Sequence, residues 1–456
     1  MNKTEQIFKK KSEIAFDRKH RRILNYNILK YNQAVIRGKE RYINFQDARQ
    51  FASRVKLNAI TNLPDYLLEF EKKIGSRGAE VLWAHKATDA LRIIERILDE
   101  NHTRLIVKSK SMITEEIGLN EFTEEKHIET VETDLGEFIV QTAGEKPYHI
   151  LTPAMHKSKE DVASLFHLKF SLSELASPVE IARFVRERLR NMFGEADIGI
   201  TGANFIVADI GGIGLTENEG NGLMTVSFPK LHIVIAGIER VIPSVKQLPF
   251  FFQWLGVHGT GQNLSAYNTL LLGPRNSGEE DGPEKMVVIL LDNGRSRLLA
   301  ENKVAEALKC IRCGACLNGC PIYKNVGGYT YSSTYTGPIG SVITPFYKGF
   351  GEFGHLSFAC TLCGRCSEVC PVKIPLHELL LLNRKRKIEK FGSSLIWSGG
   401  MKAYRYAFLK RKRIDLLQGK TKNYLASFAS EAMGKMKTIP EFAPRSFNQQ
   451  WKTLKN

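Results

Sequence analysis

The 456-residue sequence has little of what marks membrane, secreted or nucleotide-binding proteins. No apolar run approaches the roughly 18 residues that a membrane-spanning helix needs, and no apolar segment that could act as a secretion signal follows the polar start of the chain. The chain contains neither a Gly-x-Gly-x-x-Gly motif nor a phosphate-binding P-loop. We therefore expect a cytoplasmic protein, with no sequence sign of nucleotide binding.

Cysteine is absent from all but one stretch of the chain. All eight cysteines lie in two runs of identical spacing, Cys310-x-x-Cys313-x-x-Cys316-x-x-x-Cys320-Pro321 and Cys360-x-x-Cys363-x-x-Cys366-x-x-x-Cys370-Pro371. This is the bacterial ferredoxin pattern for [4Fe-4S] clusters. Three thiolates at two-residue intervals wrap three corners of a cubane, and in two-cluster proteins the fourth cysteine of each run serves the other cluster.

The pattern predicts two [4Fe-4S] clusters with exchanged fourth ligands. Disulfides would require an oxidising compartment, and zinc sites more often use two separated Cys-x-x-Cys pairs or mixtures of cysteine and histidine. Neither alternative fits the duplicated run as well. We assign the first cluster to Cys310, Cys313, Cys316 and Cys370, and the second to Cys360, Cys363, Cys366 and Cys320.

Alternating apolar segments predict an α/β domain ahead of the cysteines. A strand, a helix and a second strand follow one another within about thirty residues, which is typical of a βαβ unit and a parallel sheet. We expect this pattern to continue through residues 137–141 and 149–151, and a β-rich region to follow the next helix. The predicted elements are N-terminal helices in 1–60, a strand at 81–84, a helix at 88–98, a strand at 104–107, a helix at 178–194 with a buried stripe that includes Met192, strands within 203–291 and a helix at 298–308.

Two loops outside the cysteine runs carry candidate ligand contacts. Lys108 and Lys110 follow a strand and precede a helical segment, where they could bind an anionic group, although a solvated cap explains them equally well. Residues 201–222 predict two strands and a loop that carries carboxylates and amides. The candidates there are Glu217, Glu219 and Asn221, with a simple hairpin as the plainer interpretation.

Positive charge is concentrated at the end of the chain. Residues 381–456 contain 18 Lys or Arg against 4 Asp or Glu, a net charge of +14 out of +17 for the whole chain. Such a segment either is simply solvated or favours an acidic surface such as a membrane, a protein partner or nucleic acid. Nucleic acid is not expected, because the basic residues lack interleaved aromatic platforms for bases.

Taken together, these segments resemble the lactate-utilisation iron–sulfur proteins of the LutB type, which join a LUD domain to a two-cluster ferredoxin-like domain. The similarity extends over nearly the whole chain. The matching stretches are both cysteine runs and residues 108–116, 132–137, 201–204, 218–222, 259–262, 291–295, 337–340 and 447–451.

The resemblance implies an α/β LUD domain, like the ribose-5-phosphate isomerase and CoA-transferase group, followed by an α-helical ferredoxin-like domain with two [4Fe-4S] clusters. On this basis we divide the chain into four parts. These are an N-terminal helical segment (1–60), the LUD domain (61–297), the cluster domain (298–395) and a basic C-terminal segment (396–456).

The resemblance also implies a function in a complex. The chain would be the iron–sulfur electron-transfer subunit of an L-lactate dehydrogenase complex, working with two companion subunits and passing electrons from lactate oxidation towards the respiratory chain. The charge of the basic segment, and not the resemblance, is the reason to expect contact with the inner face of the cell membrane, with simple solvation as the alternative. The alternative is a LUD domain that is itself a ligand-binding or transferase-like enzyme with regulatory clusters, and the sequence assigns no catalytic residue to either function.

Overall fold

The computed structural model describes residues 2–392, 395–433 and 440–454. By its internal packing the chain divides into two compact units, Met1–Lys387 and Ile388–Asn456. Residues 393 and 394, at the expected end of the cluster domain, lie outside the described residues, as do 434–439, 455 and 456 of the expected C-terminal segment. The four-part division therefore stays a prediction.

Four helices precede the first strand. Side-chain oxygens begin two of them, since Asn2 accepts a hydrogen bond from the Glu5 amide (2.8 Å) and Asp17 accepts one from the His20 amide (3.0 Å). The first three contribute apolar side chains to the core that holds most of the cysteines, and the fourth packs into a separate core. The helices are α1 (Lys3–Lys11), α2 (Arg18–Lys39), α3 (Phe45–Thr61) and α4 (Leu63–Gly75), with a 3₁₀ turn at Ser12–Phe16.

Two sheets follow. The strands are β1 (Glu80–Ala84), β2 (Leu105–Lys108), β3 (Glu129–Glu132), β4 (Ile198–Gly202), β5 (Phe205–Val207), β6 (Gly212–Glu217), β7 (Leu231–Gly237), β8 (Val241–Ile242), β9 (Tyr267–Leu271) and β10 (Lys285–Leu291). The larger sheet has six parallel strands in the order β1-β10-β7-β4-β2-β3. The smaller sheet has the order β8-β5-β6-β9 and contains the antiparallel pairs β5/β6 and β6/β9.

Helices and the smaller sheet cover the parallel sheet, and separate apolar cores lie against it. Strand β7 is buried along its whole length, as a central strand of a doubly covered parallel sheet should be. The predicted α/β fold with a parallel sheet is confirmed. The helices here are α5 (Ala87–Glu100), α6 (Met112–Ile117), α7 (Leu119–Glu125), α8 (Leu135–Thr142), α9 (Lys159–Phe170), α10 (Pro178–Glu195), α11 (Asn221–Ser227) and α12 (Leu248–Gly259), with 3₁₀ turns at Ile238–Arg240 and Val245–Gln247.

Four local predictions differ from the structure. Residues 137–141 lie in helix α8 and do not extend the sheet, because Asp134 accepts a hydrogen bond from the Glu137 amide (3.1 Å) and so begins a helix. Residues 149–151 have no regular structure, and the expected helix at 298–308 is two short pieces. In α10 the buried stripe ends on Phe193, with Met192 only partly buried.

The chain then enters a helical region that contains all the cysteines. None of the helices in the described ranges is both long and apolar enough to cross a membrane. The helices are α13 (Arg295–Leu299), α14 (Ala315–Gly319), α15 (Tyr323–Val326), α16 (Gly337–Lys348), α17 (Phe350–Phe353), α18 (Arg365–Val369) and α19 (Leu376–Phe391), with 3₁₀ turns at Val304–Lys309, Tyr329–Tyr331 and Gly354–Phe358. The C-terminal unit contains α20 (Leu395–Phe408), α21 (Arg411–Ile414), α22 (Gly419–Met433) and α23 (Phe447–Leu454).

Candidate iron–sulfur site

The two cysteine runs follow the same backbone course. Each has a side-chain-bearing residue with positive φ between its first two cysteines, Arg312 (62°) and Leu362 (56°). Each has a positive-φ glycine after the second cysteine, Gly314 (73°) and Gly364 (78°), and that glycine precedes a one-turn helix. These two helices, α14 and α18, pack against each other. The repeated spacing thus produces a repeated local structure.

Backbone amides point at the sulfur atoms, as a cluster-binding loop requires. The pattern repeats between the runs, since the amide two residues after the first cysteine of each run points at that cysteine's sulfur. The amide-to-sulfur contacts are Arg312 N to Cys310 (3.4 Å), Leu362 N to Cys360 (3.3 Å), Tyr323 N to Cys320 (3.5 Å) and Ile374 N to Cys370 (3.3 Å).

The first predicted group of cysteines surrounds one cavity. Cys310, Cys313 and Cys316 line it together with Cys370, which comes from the other run. The cavity has about 390 Å³ of space free of atoms, part of it open to solvent, and its remaining walls are largely apolar. Four thiols around an apolar space fit the ligand chemistry of an iron–sulfur cluster.

The second predicted group is also drawn together across the runs. Cys320 interacts electrostatically with Cys360 and Cys363, and Cys366 interacts with Cys360 and Cys320. The first group shows the corresponding interactions of Cys316 with Cys310, Cys313 and Cys370. These interactions agree with the exchanged arrangement, and the assignment of each cysteine to a cluster stays a prediction.

Burial keeps several of these thiols protonated in the absence of metal. It raises the pKa of Cys370 to about 11 and that of Cys366 to about 12, and it raises the pKa of Cys313, Cys316 and Cys320 as well. A thiolate is the form that binds iron, so iron binding must release protons here.

Among the described residues, no group of three or more His, Cys, Asp or Glu is arranged to hold a single metal ion.

The two groups differ in exposure. In the first, Cys313, Cys316 and Cys370 are buried and Cys310 is partly buried. In the second, Cys363 is exposed and Cys360 is partly buried. The first group therefore lies inside the protein, and the second reaches its surface.

Contacts from outside the runs fix the end of the second run. Arg49 of α3 donates to the carbonyl oxygens of Cys370 (2.7 Å) and Ser367 (2.8 Å). The indole of Trp254, in α12, donates to the Pro371 carbonyl (3.1 Å). Helices α3 and α12 therefore both position the backbone around Cys370.

A buried network of charges ties the parallel sheet to the first cysteine loop. Arg295, after β10, forms a two-pronged ion pair with Glu116 of α6 (2.8 and 2.9 Å) and a further pair with Glu239, after β7 (2.5 Å). Glu239 also pairs with Arg312 of the first run (3.2 Å). Burial would raise the pKa of Glu116 and of Glu239, but the guanidinium of Arg295 holds both below their ordinary values.

Lys108 is not available to an external anion. Its side chain is fully buried and pairs with Glu132 (2.6 Å) and Glu115 (3.4 Å). A further carboxyl group, that of Glu137, is buried beside Glu132, so this pocket holds more acidic groups than one lysine neutralises. Burial, and next the charge of Glu132, raise the pKa of Glu137.

A Glu137→Gln variant should be more stable than the wild type at neutral pH. Because the folded-state pKa of Glu137 lies above its ordinary value, the folded protein holds a proton that the unfolded chain releases, and stability falls as pH rises through that interval. Glutamine removes this loss. Urea unfolding midpoints measured from pH 4 to 8 check the prediction, with the exposed Glu187→Gln as the control. The prediction is wrong if the midpoint of Glu137→Gln changes with pH in the same way as that of the wild type.

The other four candidate contacts lie close together at the carboxyl edge of the sheet. Lys110 pairs with Asp134 (3.0 Å) and interacts electrostatically with Glu217 and Glu219. The two glutamates accept hydrogen bonds from backbone amides, those of Gly222 (2.6 Å) and Leu223 (2.8 Å) for Glu217 and that of Leu135 (3.1 Å) for Glu219. Asn221, at the start of α11, reaches the Thr133 hydroxyl (3.5 Å). Ligand binding by these residues stays a prediction.

Sequence reasoning missed the buried network. It singled out none of Glu116, Glu239, Arg295 and Arg312 as site residues. The available signal was the placement of charged residues directly after the apolar strands β7 and β10, since side chains at the carboxyl ends of parallel strands converge on one edge.

This combination defines a class: an α/β domain followed by a helical region with duplicated ferredoxin-type cysteine runs. Residues 67–291 match the LUD domain family and residues 306–374 match the 4Fe-4S dicluster domain. The chain is thus an iron–sulfur protein with a LUD domain, as the sequence predicted.

Relatives narrow the class to one family. The chain is 43% identical over 354 residues to lactate utilization protein B of Bacillus velezensis, covering 77% of this chain and 74% of that protein. It is 42% identical to lactate utilization protein B of Bacillus subtilis, with the same coverage, and 39% identical to the uncharacterized electron transport protein YkgF of Escherichia coli K12, covering 80% and 76%. The chain belongs to the lactate utilization protein B family.

A similarity to one solved structure is weaker. The crystal structure of a DUF162 family protein from Deinococcus radiodurans is 16% identical and covers 50% of this chain and 98% of that one, with a TM-score of 0.29. At a TM-score this low, nothing about the fold or function is inferred from the similarity.

Proposed function

We propose that the chain holds two [4Fe-4S] clusters. Cys310, Cys313, Cys316 and Cys370 would bind the first, and Cys360, Cys363, Cys366 and Cys320 the second. The support is the grouping of these thiols across the two runs, with backbone amides directed at their sulfur atoms. Such clusters supply one-electron transfer when bound.

The proposed role is that of the electron-transfer subunit of a complex that oxidises L-lactate to pyruvate. The observation that carries it is the identity of about 43% over most of the chain with proteins named for lactate utilization. The chain would act with two companion subunits and pass electrons towards the respiratory chain. Its buried cysteine group suits an inner position on this path, and the group that reaches the surface suits contact with a partner.

The test is electron paramagnetic resonance on the protein purified without oxygen, alone and with the products of neighbouring genes. Signals of reduced [4Fe-4S] clusters should appear on addition of L-lactate only when the companions are present. D-lactate and buffer serve as controls. If the clusters form but stay oxidised after addition of L-lactate, both with and without the companions, the proposed role is wrong.

We further propose that the C-terminal unit contacts an anionic membrane surface. Helix α20 and the residues just after it expose Lys402, Arg405 and Lys410 beside exposed apolar side chains such as Met401 and Leu409. Basic and apolar groups together favour the interface of a negatively charged bilayer.

Replacing Lys402, Arg405 and Lys410 with glutamine should weaken binding to vesicles that contain anionic lipid by at least about tenfold. Vesicle sedimentation measures the effect. The matched control replaces three exposed arginines of α10 in the other unit, Arg183, Arg186 and Arg190. Equal effects of the two triple variants, or equal binding to neutral vesicles, would contradict a specific contact by the C-terminal unit.

A further inference from the structure

A small polar cavity lies at the carboxyl edge of the parallel sheet. Its walls come from Ser111 after β2, from Ala203 after β4 and from the last residues of β7. The chain runs from β2 outward to β3, but from β4 it runs the opposite way to β7. The crevice beside β2 and β4 is therefore a topological switch point, where open α/β sheets bind their ligands.

Two glycines keep this space open. A Cβ atom at Gly202 would overlap the Ser111 hydroxyl, and one at Gly237 would overlap the Glu239 carboxylate and the Arg295 guanidinium. About 240 Å³ of atom-free space remains, some of it open to solvent. The enclosed part of this space is small, so the cavity admits only a small polar group.

Arg240 gives the cavity an excess of positive charge. The carboxylate that lines the cavity, Glu239, is already held by Arg295 and Arg312. Within the described part of the chain, no ion pair or hydrogen bond joins the Arg240 side chain to a carboxylate. Burial lowers the pKa of Arg240 even with Glu239 next to it in sequence, so its charge is poorly compensated.

We propose that this cavity binds the carboxylate of a small organic acid, with Arg240 as its counter-ion and the Ser111 hydroxyl as a neighbouring hydrogen-bonding group. A guanidinium is well suited to this, because its fork of N–H donors matches the two oxygens of a carboxylate. The ring of Tyr335 forms part of the wall. For the choice of acid the inference rests on the proposed function, which makes L-lactate and pyruvate the natural probes.

The site would adjoin the first cysteine group. Glu239, which lines the cavity, is also the partner of Arg312, and Arg312 lies between Cys310 and Cys313. The ring of Tyr335 stacks against the same Arg312 guanidinium (4.3 Å). A bound acid would therefore lie one layer of side chains from that group.

Isothermal titration calorimetry on the full chain with its clusters, alone and with its companions, tests the site. L-lactate and pyruvate should bind, and neutral lactamide should not. Arg240→Met should weaken binding of both acids by about 10- to 100-fold, the usual range for a lost charged hydrogen bond. Arg240→Lys should restore part of the affinity, and Arg190→Met, an exposed arginine of α10, should leave it unchanged.

Other outcomes overturn the proposal. These are equal binding of lactamide, inorganic phosphate bound as tightly as the acids, or no binding of either acid in both preparations. An Arg240→Met variant that shifts the cluster potential but keeps its affinity for L-lactate would show that Arg240 serves the clusters alone. If lactate reduces the clusters but its binding does not depend on Arg240, this site is wrong and the proposed function stands. If lactate binds in an Arg240-dependent way but does not reduce the clusters, the site stands and the proposed function is wrong.

Discussion

A Cys320→Ser variant should lose the second cluster and keep the first, although Cys320 belongs to the first cysteine run. The reason is that Cys320 interacts with Cys360 and Cys363, while the cavity of the first group takes its fourth cysteine from position 370. Cys370→Ser should do the opposite. Iron analysis and electron paramagnetic resonance of the dithionite-reduced proteins measure both effects, and each variant should retain about half of the iron.

Cys316→Ser provides the reference for this pair. Cys316 lies in the first run and is also assigned to the first cluster. Its replacement should therefore remove the first cluster, as Cys370→Ser does, and should abolish lactate-dependent electron transfer. If Cys320→Ser instead resembled Cys316→Ser, each run would serve its own cluster and the exchange would be wrong. A Cys316→Ser protein that kept both clusters would remove the ligand assignment itself.

Breaking the buried charge network should have the largest effect on stability. Arg295→Met leaves the fully buried carboxylates of Glu116 and Glu239 without their main partner. Removing one member of a buried ion pair commonly costs about 3–5 kcal/mol, because the remaining charge stays desolvated. We expect a loss of this size in the free energy of unfolding, measured by urea denaturation of the anaerobic protein.

Lys126→Met is the matched control. It removes a cation from an ion pair with Glu95 on the surface of the same unit, where water screens the charges. Its unfolding midpoint should stay close to that of the wild type. If Arg295→Met were as mild as this control, the network would contribute little to the attachment between the sheet and the cysteine loop.

The sequence was most informative where a short spacing carries the geometry. The duplicated cysteine spacing corresponds to a duplicated backbone course, with positive φ at Arg312 and Gly314 and again at Leu362 and Gly364. The parallel sheet was also predictable, because β7 and β10 are apolar along nearly their whole length.

Longer-range features could not be predicted in the same way. Glu116 and Arg295 are 179 residues apart, and no local pattern marks them as partners. The β-favouring residues Phe138, Ile139 and Val140 suggested a strand, but the helix cap at Asp134 decides the local structure. The pattern of apolar residues along the sequence does not reveal the effect of a single capping side chain.

The crossing of Cys320 and Cys370 has a consequence for biosynthesis. With exchanged fourth ligands, the second cysteine set is complete only once the ribosome has made and released the chain through residue 366, and the first set only through residue 370, although three members of the first set are available some fifty residues earlier. The two centres would therefore mature together, as one late step that follows synthesis of the whole LUD domain. A chain that stops short of Cys360 would carry an entire LUD domain and no finished metal centre.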